Sequence, residues 1–246
     1  MASQLIYQFY SELSDYNSKI WRRFQVLNNV TMAKLGYIIM TMYEMEASHL
    51  FCFNVPFKDN FKETSDLRNA TDKKLIDMLE DKYSNITVEL ISEEDFNDMR
   101  NEIILDAAKT KLRDIVSNEK ERLTFRYDFG DGWEIKLELE KIIKDKDLPG
   151  KELPRVIDGQ GYGIIEDCGG VYGLENIERA FKHKEGKEYE EYRNWLGIDD
   201  LDLSLFDIED INFRLKKIPR IYRDIYEYEL EPTERSMKLL MREYKK

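Results

Sequence analysis

The chain is short of the residues that usually announce a small chemical site. It has two cysteines, two histidines and five prolines in 246 residues. Two thiols, Cys52 and Cys168, cannot build the disulfide framework of a stapled secreted domain. No apolar run approaches the roughly 20 residues needed to span a bilayer. The longest, Tyr37 to Met45, is broken by polar residues. Met1-Ala2-Ser3-Gln4 lacks the basic and then apolar pattern of a secretory leader. A cytoplasmic protein with reduced thiols and no membrane partner is therefore expected. Positive charge is also scarce: 38 Lys+Arg stand against 50 Asp+Glu, a net charge of −12. Because phosphate binding needs clustered Lys and Arg, the composition predicts no direct grip on nucleic acid.

What is present is a core and a pattern. Hydrophobic residues make up 42% of the chain, enough for a packed interior, and charged residues 36%. The early half alternates strand and helix signals. Leu5–Leu13 and Ile20–Val26 read as strands around the turn residues 14–18, and Thr31 can cap a helix over 32–45. His49–Val55 reads as a strand ended by Pro56. Charged residues fill 57–95, with a capped helix expected around Leu75–Leu79 and a strand over Ile86–Ile91. Apolar spacing from Ile104 to Ile115 predicts a helix over 104–116. Leu123–Phe129 and Trp133–Ile143 flank Gly130-Asp131-Gly132 as a hairpin, with Phe125, Tyr127 and Phe129 on one face by period two. Six glycines fall between Asp158 and Gly173, which reads as an irregular loop. Five helices are expected beyond it, over 174–182, 189–196, 208–217, 219–229 and 233–244. The class is α+β: a curved mixed or antiparallel sheet with packed helices and a mainly helical C-terminal part. Residues 1–217 read as one domain carrying the charged insertion 57–95, with 218–246 as a helical extension.

Several segments carry a resemblance. They are Ile20-Trp21-Arg22-Arg23, Ser48-His49-Leu50-Phe51-Cys52-Phe53, Tyr127-Asp128-Phe129-Gly130-Asp131-Gly132-Trp133-Glu134 and Glu166-Asp167-Cys168-Gly169-Gly170-Val171-Tyr172-Gly173. Tyr192-Arg193-Asn194-Trp195-Leu196-Gly197, leading to Phe206-Asp207 and Asn212, adds a fifth. In this order they resemble the plasmid Ri open-reading-frame-three-like family of mobile genetic elements. The resemblance implies an α+β domain with a curved sheet and no settled activity. It also implies three histidines, in a His-Leu-His and a Trp-Glu-His motif. Here the corresponding positions read His49-Leu50-Phe51 and Trp133-Glu134-Ile135, and Ile164-Ile165 stand in place of a proline pair. Of that set only His49 remains.

Imidazole and thiolate are zinc's preferred donors, so the candidate metal ligands are His49, Cys52, Asp167 and Cys168, holding a Zn2+ that would be structural. Asp128 and Asp131 are further candidates. Cys52 lies three positions from His49, which on a straight strand points it to the opposite face. The plain alternative is that these are packing residues and that Asp131-Gly132 is turn chemistry. Cys168 as a nucleophile would need a base beside it.

Charge is segregated along the chain. Residues 198–211 contain Asp199, Asp200, Asp202, Asp207, Glu209 and Asp210 and no base, while the tail from Arg214 onward carries +4, leaving −16 on the first 213 residues. A segregated negative surface steers toward basic partners. These six acids are the expected contact surface of a non-catalytic accessory protein of a phage or other mobile element. Its partner would be a host protein with a basic nucleic-acid-binding surface, such as a CRISPR or restriction nuclease, inhibited by occupation of that surface. A metal-dependent hydrolase or nuclease using His49, Asp128, Asp131 and Cys168, and a DNA-transposition accessory factor, are the alternatives.

Overall fold

The computed structural model describes residues 5–56, 86–91, 103–144 and 150–245. The helix expected near Leu75–Leu79 lies outside them. Eight strands form one sheet: β1 (Ile6–Leu13), β2 (Trp21–Leu27), β3 (Phe51–Val55), β4 (Ile86–Glu89), β5 (Ile103–Asp106), β6 (Arg122–Tyr127), β7 (Trp133–Ile143) and β8 (Arg155–Gln160). Their order is β5-β4-β3-β6-β7-β1-β2-β8. Only β4 and β5 pair in parallel; every other neighbour is antiparallel. Register shifts at Gln8/Phe9 and Arg23/Phe24 are bulges, which bend a strand and raise its twist.

Seven α-helices accompany the sheet among the described residues, and five of them follow it in sequence: α1 (Met32–Met42), α2 (Leu112–Ile115), α3 (Gly170–His183), α4 (Lys187–Leu196), α5 (Ile208–Leu215), α6 (Ile218–Tyr228) and α7 (Glu234–Leu240). The fold is α+β with helices gathered in the C-terminal part. Thr31 caps α1 as expected, its side chain accepting from the Lys34 amide. Every α1 residue except Lys34 is buried, because β3 lies against one side and α5 and α6 against others. A Cβ on Gly36 would sit 2.7 Å from the Phe51 ring, so glycine sets how closely helix and sheet approach. The stretch after 217 packs on this core: Ile218 and Tyr222 of α6 are buried, and each such apolar side chain contributes about 1.5–3 kcal/mol.

Two segments differ from the sequence reading. The helix expected over 104–116 is strand β5, a turn and then the single turn α2. Ile103-Ile104-Leu105 suits a strand, and β4 offers it a parallel edge. Part of the glycine-rich stretch is β8, an edge strand on β2. Gly159 is required there, since a Cβ would meet the Phe206 ring at 2.6 Å and the Trp21 carbonyl at 2.8 Å.

Arg22 ties β2 to the loop after β8. Fully buried, it donates to the carbonyls of Met42, Trp21, Gln160, Gly161 and Tyr162 at 2.6–3.1 Å. Its guanidinium also lies over the rings of Tyr43 and Phe206. Five carbonyl dipoles thus stabilise a cation that burial alone would disfavour. The Ile164 amide then donates to Tyr43 at 2.9 Å, and residues 165–170 are delivered beside the end of α1.

Candidate metal centre

Three chain segments meet at His49. The first is the connection from α1 to β3, which enters through Glu44 and Ala47, both at φ 63. Tyr222 of α6 donates its hydroxyl to the Met45 carbonyl at 2.5 Å, and the Tyr226 hydroxyl donates to the His49 carbonyl. The second is the turn of the β6–β7 hairpin. Tyr127 ends β6 and Asp128 takes φ 50, closing the turn by accepting from Gly132 at 2.6 Å. This break in the strand reverses the period-two expectation for Phe129: Phe125 and Tyr127 are buried, whereas Phe129 is exposed. The third is the glycine-rich loop, where Asp167 takes φ 57 just before α3. A left-handed backbone is uncommon outside glycine, and Asp tolerates it better than most residues. Two such aspartates facing one histidine are a built feature.

His49 Nε2 lies 3.4 Å from Asp167 Oδ1, 3.6 Å from Asp128 Oδ2 and 3.7 Å from Glu166 Oε2. Donor atoms of His49, Asp128 and Asp167 all fall within 4.8 Å of one another. Nε2 is shielded from solvent yet makes no hydrogen bond among the described residues. These separations are too long for hydrogen bonds. They match the spacing of donors around a four-coordinate ion: metal–ligand bonds of about 2.0–2.2 Å place neighbouring donors about 3.3–3.6 Å apart. Glu166 and Asp128 are buried, with side chains 6% and 10% exposed, whereas Asp167 is 74% exposed, so the cluster opens to solvent on one side.

The surroundings orient this set. Tyr127 donates its hydroxyl to Glu166 Oε1 at 2.5 Å and accepts from the amides of Ser48 and His49. Its ring meets the His49 ring edge-on at 5.7 Å. Glu166 also accepts from the Glu46 amide and from the Ser48 hydroxyl. Asp128 Oδ1 accepts from Gly130, leaving Oδ2 toward His49. Among the described residues no Lys or Arg pairs with these three carboxylates. Like charges about 4 Å apart repel by about 4 kcal/mol at an effective dielectric of 20. The field reaches outward: burial, with Glu166 and Asp167, pushes the Glu46 carboxyl up.

Of the expected ligands, His49 and Asp167 come together, joined by Asp128. Cys52 and Cys168 do not enter the cluster. Cys52 is buried on β3 with its thiol toward Asn54. The Cys168 thiol donates to the Gly170 carbonyl, and burial, with Asp131 nearby, pushes it up to about 12. Asp131 accepts from the Gly169 amide and fastens hairpin to loop. Glu166 stands in the sequence only as part of a motif. Its adjacency to Asp167 was the available signal, but the chain reversal that turns both carboxylates toward His49 is not written in spacing.

The acidic stretch 198–211 is arranged differently. Asp199 pairs with Arg193 at 2.6 Å and Asp200 with Lys184 at 2.9 Å. Asp202 accepts from the amide and hydroxyl of Ser204, which hold its carboxyl below the usual range. Asp207 caps α5 and pairs with Lys245. Asp210 is buried against Arg242, Lys245 and Tyr244; burial pushes its carboxyl up, but hydrogen bonds from these partners outweigh that and hold it low. Glu209 alone is exposed with no described partner.

Comparison with known proteins places residues 5–214 on the family model described as plasmid pRiA4b ORF-3-like protein. The chain is 27% identical over 109 residues to the uncharacterized protein y4hQ of Sinorhizobium fredii; the match spans 44% of this chain and 55%, about half, of that protein. A crystal structure of a protein of unknown function, MM3350 from Methanosarcina mazei Go1, superposes with a TM-score of 0.64 at 27% identity, covering 85% of this chain and 98% of that one.

Proposed function

This chain belongs to the plasmid pRiA4b ORF-3-like family, and within that family we propose that it is a divalent-metal protein of hydrolytic type, working in the cytoplasm. The observation that supports this reading is the convergence of His49, Asp128, Glu166 and Asp167 without a balancing cation among the described residues, around an imidazole nitrogen that has no hydrogen-bond partner there. One nitrogen and several carboxylate oxygens, with no thiolate, suit Zn2+ or Mn2+. A set open on one side resembles catalytic sites more than closed structural ones. Such an ion would supply Lewis acidity and charge neutralisation. His49, Asp128 and Glu166 would hold it from the protein side, Tyr127 would orient Glu166, and exposed Asp167 would stand at the entrance.

Elemental analysis of protein purified without added metal, followed by turnover of a generic phosphodiester, tests the reading. About one ion per chain, lost together with turnover in His49→Ala and Asp128→Asn, is expected. Metal-free protein that also fails to bind added Zn2+ or Mn2+ would contradict it. Metal without turnover would leave the ion structural.

An inhibitor of a basic host nuclease, docking through Asp199–Asp210, is the second reading. It draws on the net charge of −12. Its support is thinner, because most of those carboxylates are engaged within the chain. Among the described residues no helix is long and apolar enough to cross a membrane.

A further inference from the structure

A large cavity lies away from His49 and has the opposite charge. It is a groove of about 670 Å³ along α6, bounded by the start of α1, the residues before α2 and the loop before β8. Lys34, Lys111, Lys151, Lys216 and Arg220 line it. None of the five forms an ion pair with a described carboxylate. Arg223 adds a sixth cation; it reaches Asp224, and its Nε is buried without a hydrogen-bond partner. The only acid among the described lining residues, Glu227, is engaged by the Tyr37 hydroxyl at 3.0 Å.

Among the described lining residues, six cations against one acid is an improbable gathering for a chain of net charge −12. Many surface bases elsewhere stand beside acids, as Lys184 does beside Asp200 and Arg193 beside Asp199. Screening acts over about 8 Å at physiological ionic strength, so a ligand in the groove feels these cations more than the distant acids. α6 builds the arrangement by its own periodicity. Ile218, Ile221 and Tyr222 face the core, which leaves Arg220, Arg223 and Glu227 along the groove. At the rim Tyr228 is 57% exposed, and the Arg223 guanidinium lies over its ring at 5.5 Å. A cationic channel beside an exposed aromatic face is the physical pattern that binds single strands: bases track the phosphates and the ring stacks on a nucleobase. A duplex keeps its bases stacked inside and offers Tyr228 nothing to stack on.

We propose that this groove binds a short single-stranded nucleic-acid segment, its phosphates on Lys34, Lys111, Lys151, Lys216 and Arg220 and one base on Tyr228. The net charge of −12 does not oppose such binding, because a total charge averages regions that a ligand meets one at a time. The site does not depend on the metal reading.

Fluorescence anisotropy of a labelled thymidine dodecamer, with the full chain in EDTA and low salt, tests it. Binding is expected, weakening with salt with a log–log slope near −3, about −0.7 for each of four to five contacts. K34E/K216E/R220E should lower affinity more than about 100-fold, since it reverses three of those contacts. Tyr228→Ala should lower it about tenfold. The substituted residues are exposed or on the rim, and K151E, in the loop before β8, gives an independent variant. His49→Ala should bind like the parent chain, which separates this site from the metal centre. Absence of binding, unchanged affinity in the triple variant, equal affinity for a blunt duplex, or displacement by equimolar inorganic phosphate would each overturn the proposal.

Discussion

The acidic stretch 198–211 and the His49 cluster carry the same kind of charge and use it in opposite ways. In the stretch, the density is high along the sequence but most carboxylates turn to partners within the chain: Asp199 to Arg193, Asp200 to Lys184, Asp207 and Asp210 to the C-terminal tail. At His49 the carboxylates come from distant parts of the chain and converge with no described Lys or Arg. Density along a chain measures how much charge must be accommodated; convergence in space measures how much is left for a ligand. The tail that neutralises the stretch also reaches the cluster's scaffold. Arg242 bonds both Asp210 and Glu44, and Glu44 begins the connection that carries His49. Basic residues of the +4 tail are thus spent on structure as well as on the groove.

The contrast predicts a double dissociation. Asp128→Asn should cost more than about 100-fold in divalent-metal affinity, measured by calorimetry, because it removes a charged donor. It should leave stability unchanged or slightly raised, since it also removes repulsion within the cluster. Asp210→Asn should do the reverse, lowering unfolding stability by about 3 kcal/mol while metal affinity stays. Its pH dependence has a definite sign. The folded-state Asp210 carboxyl is held below its ordinary value, so its contribution is present above the unfolded pKa of about 4 and is lost as pH falls through the folded value. Urea midpoints of the parent and Asp210→Asn should therefore converge as pH falls; a difference that stays constant into acid would contradict this. Tyr127→Phe should lower metal affinity about tenfold, as expected for a group that orients a ligand. The pair Asp199→Asn with Asp200→Asn should change neither metal affinity nor melting temperature, since exposed pairs contribute little.

Much of the framework was legible because its signals are local. The β6–β7 hairpin, the capped α1 and the periodic C-terminal helices follow from alternation, a Thr cap and 3.6-residue spacing. β5 and β8 were not legible as strands. Ile104 and Leu105 sit in a window that also fits a helix, and Asp158-Gly159 carries no strand propensity; both strands exist because a neighbouring edge pairs with them. The site was half visible. His49 and Asp167 stood in motifs, and Asp128 was weighed against turn chemistry. Cys52 and Cys168 drew attention through zinc's taste for thiolates, whereas the positive φ angles of Asp128 and Asp167 bring carboxylates instead. The groove cations Lys34, Lys111 and Arg220 are too far apart in sequence to announce one surface.

On the metal reading, a cation completes the His49 cluster. Thermal unfolding of EDTA-treated protein, with and without Zn2+ or Mn2+, tests it most directly, because an ion that binds only the folded chain raises its melting temperature. A rise that grows with metal concentration is expected in the parent chain and none in Asp128→Asn. No rise in the parent, or the same rise in both, would contradict it.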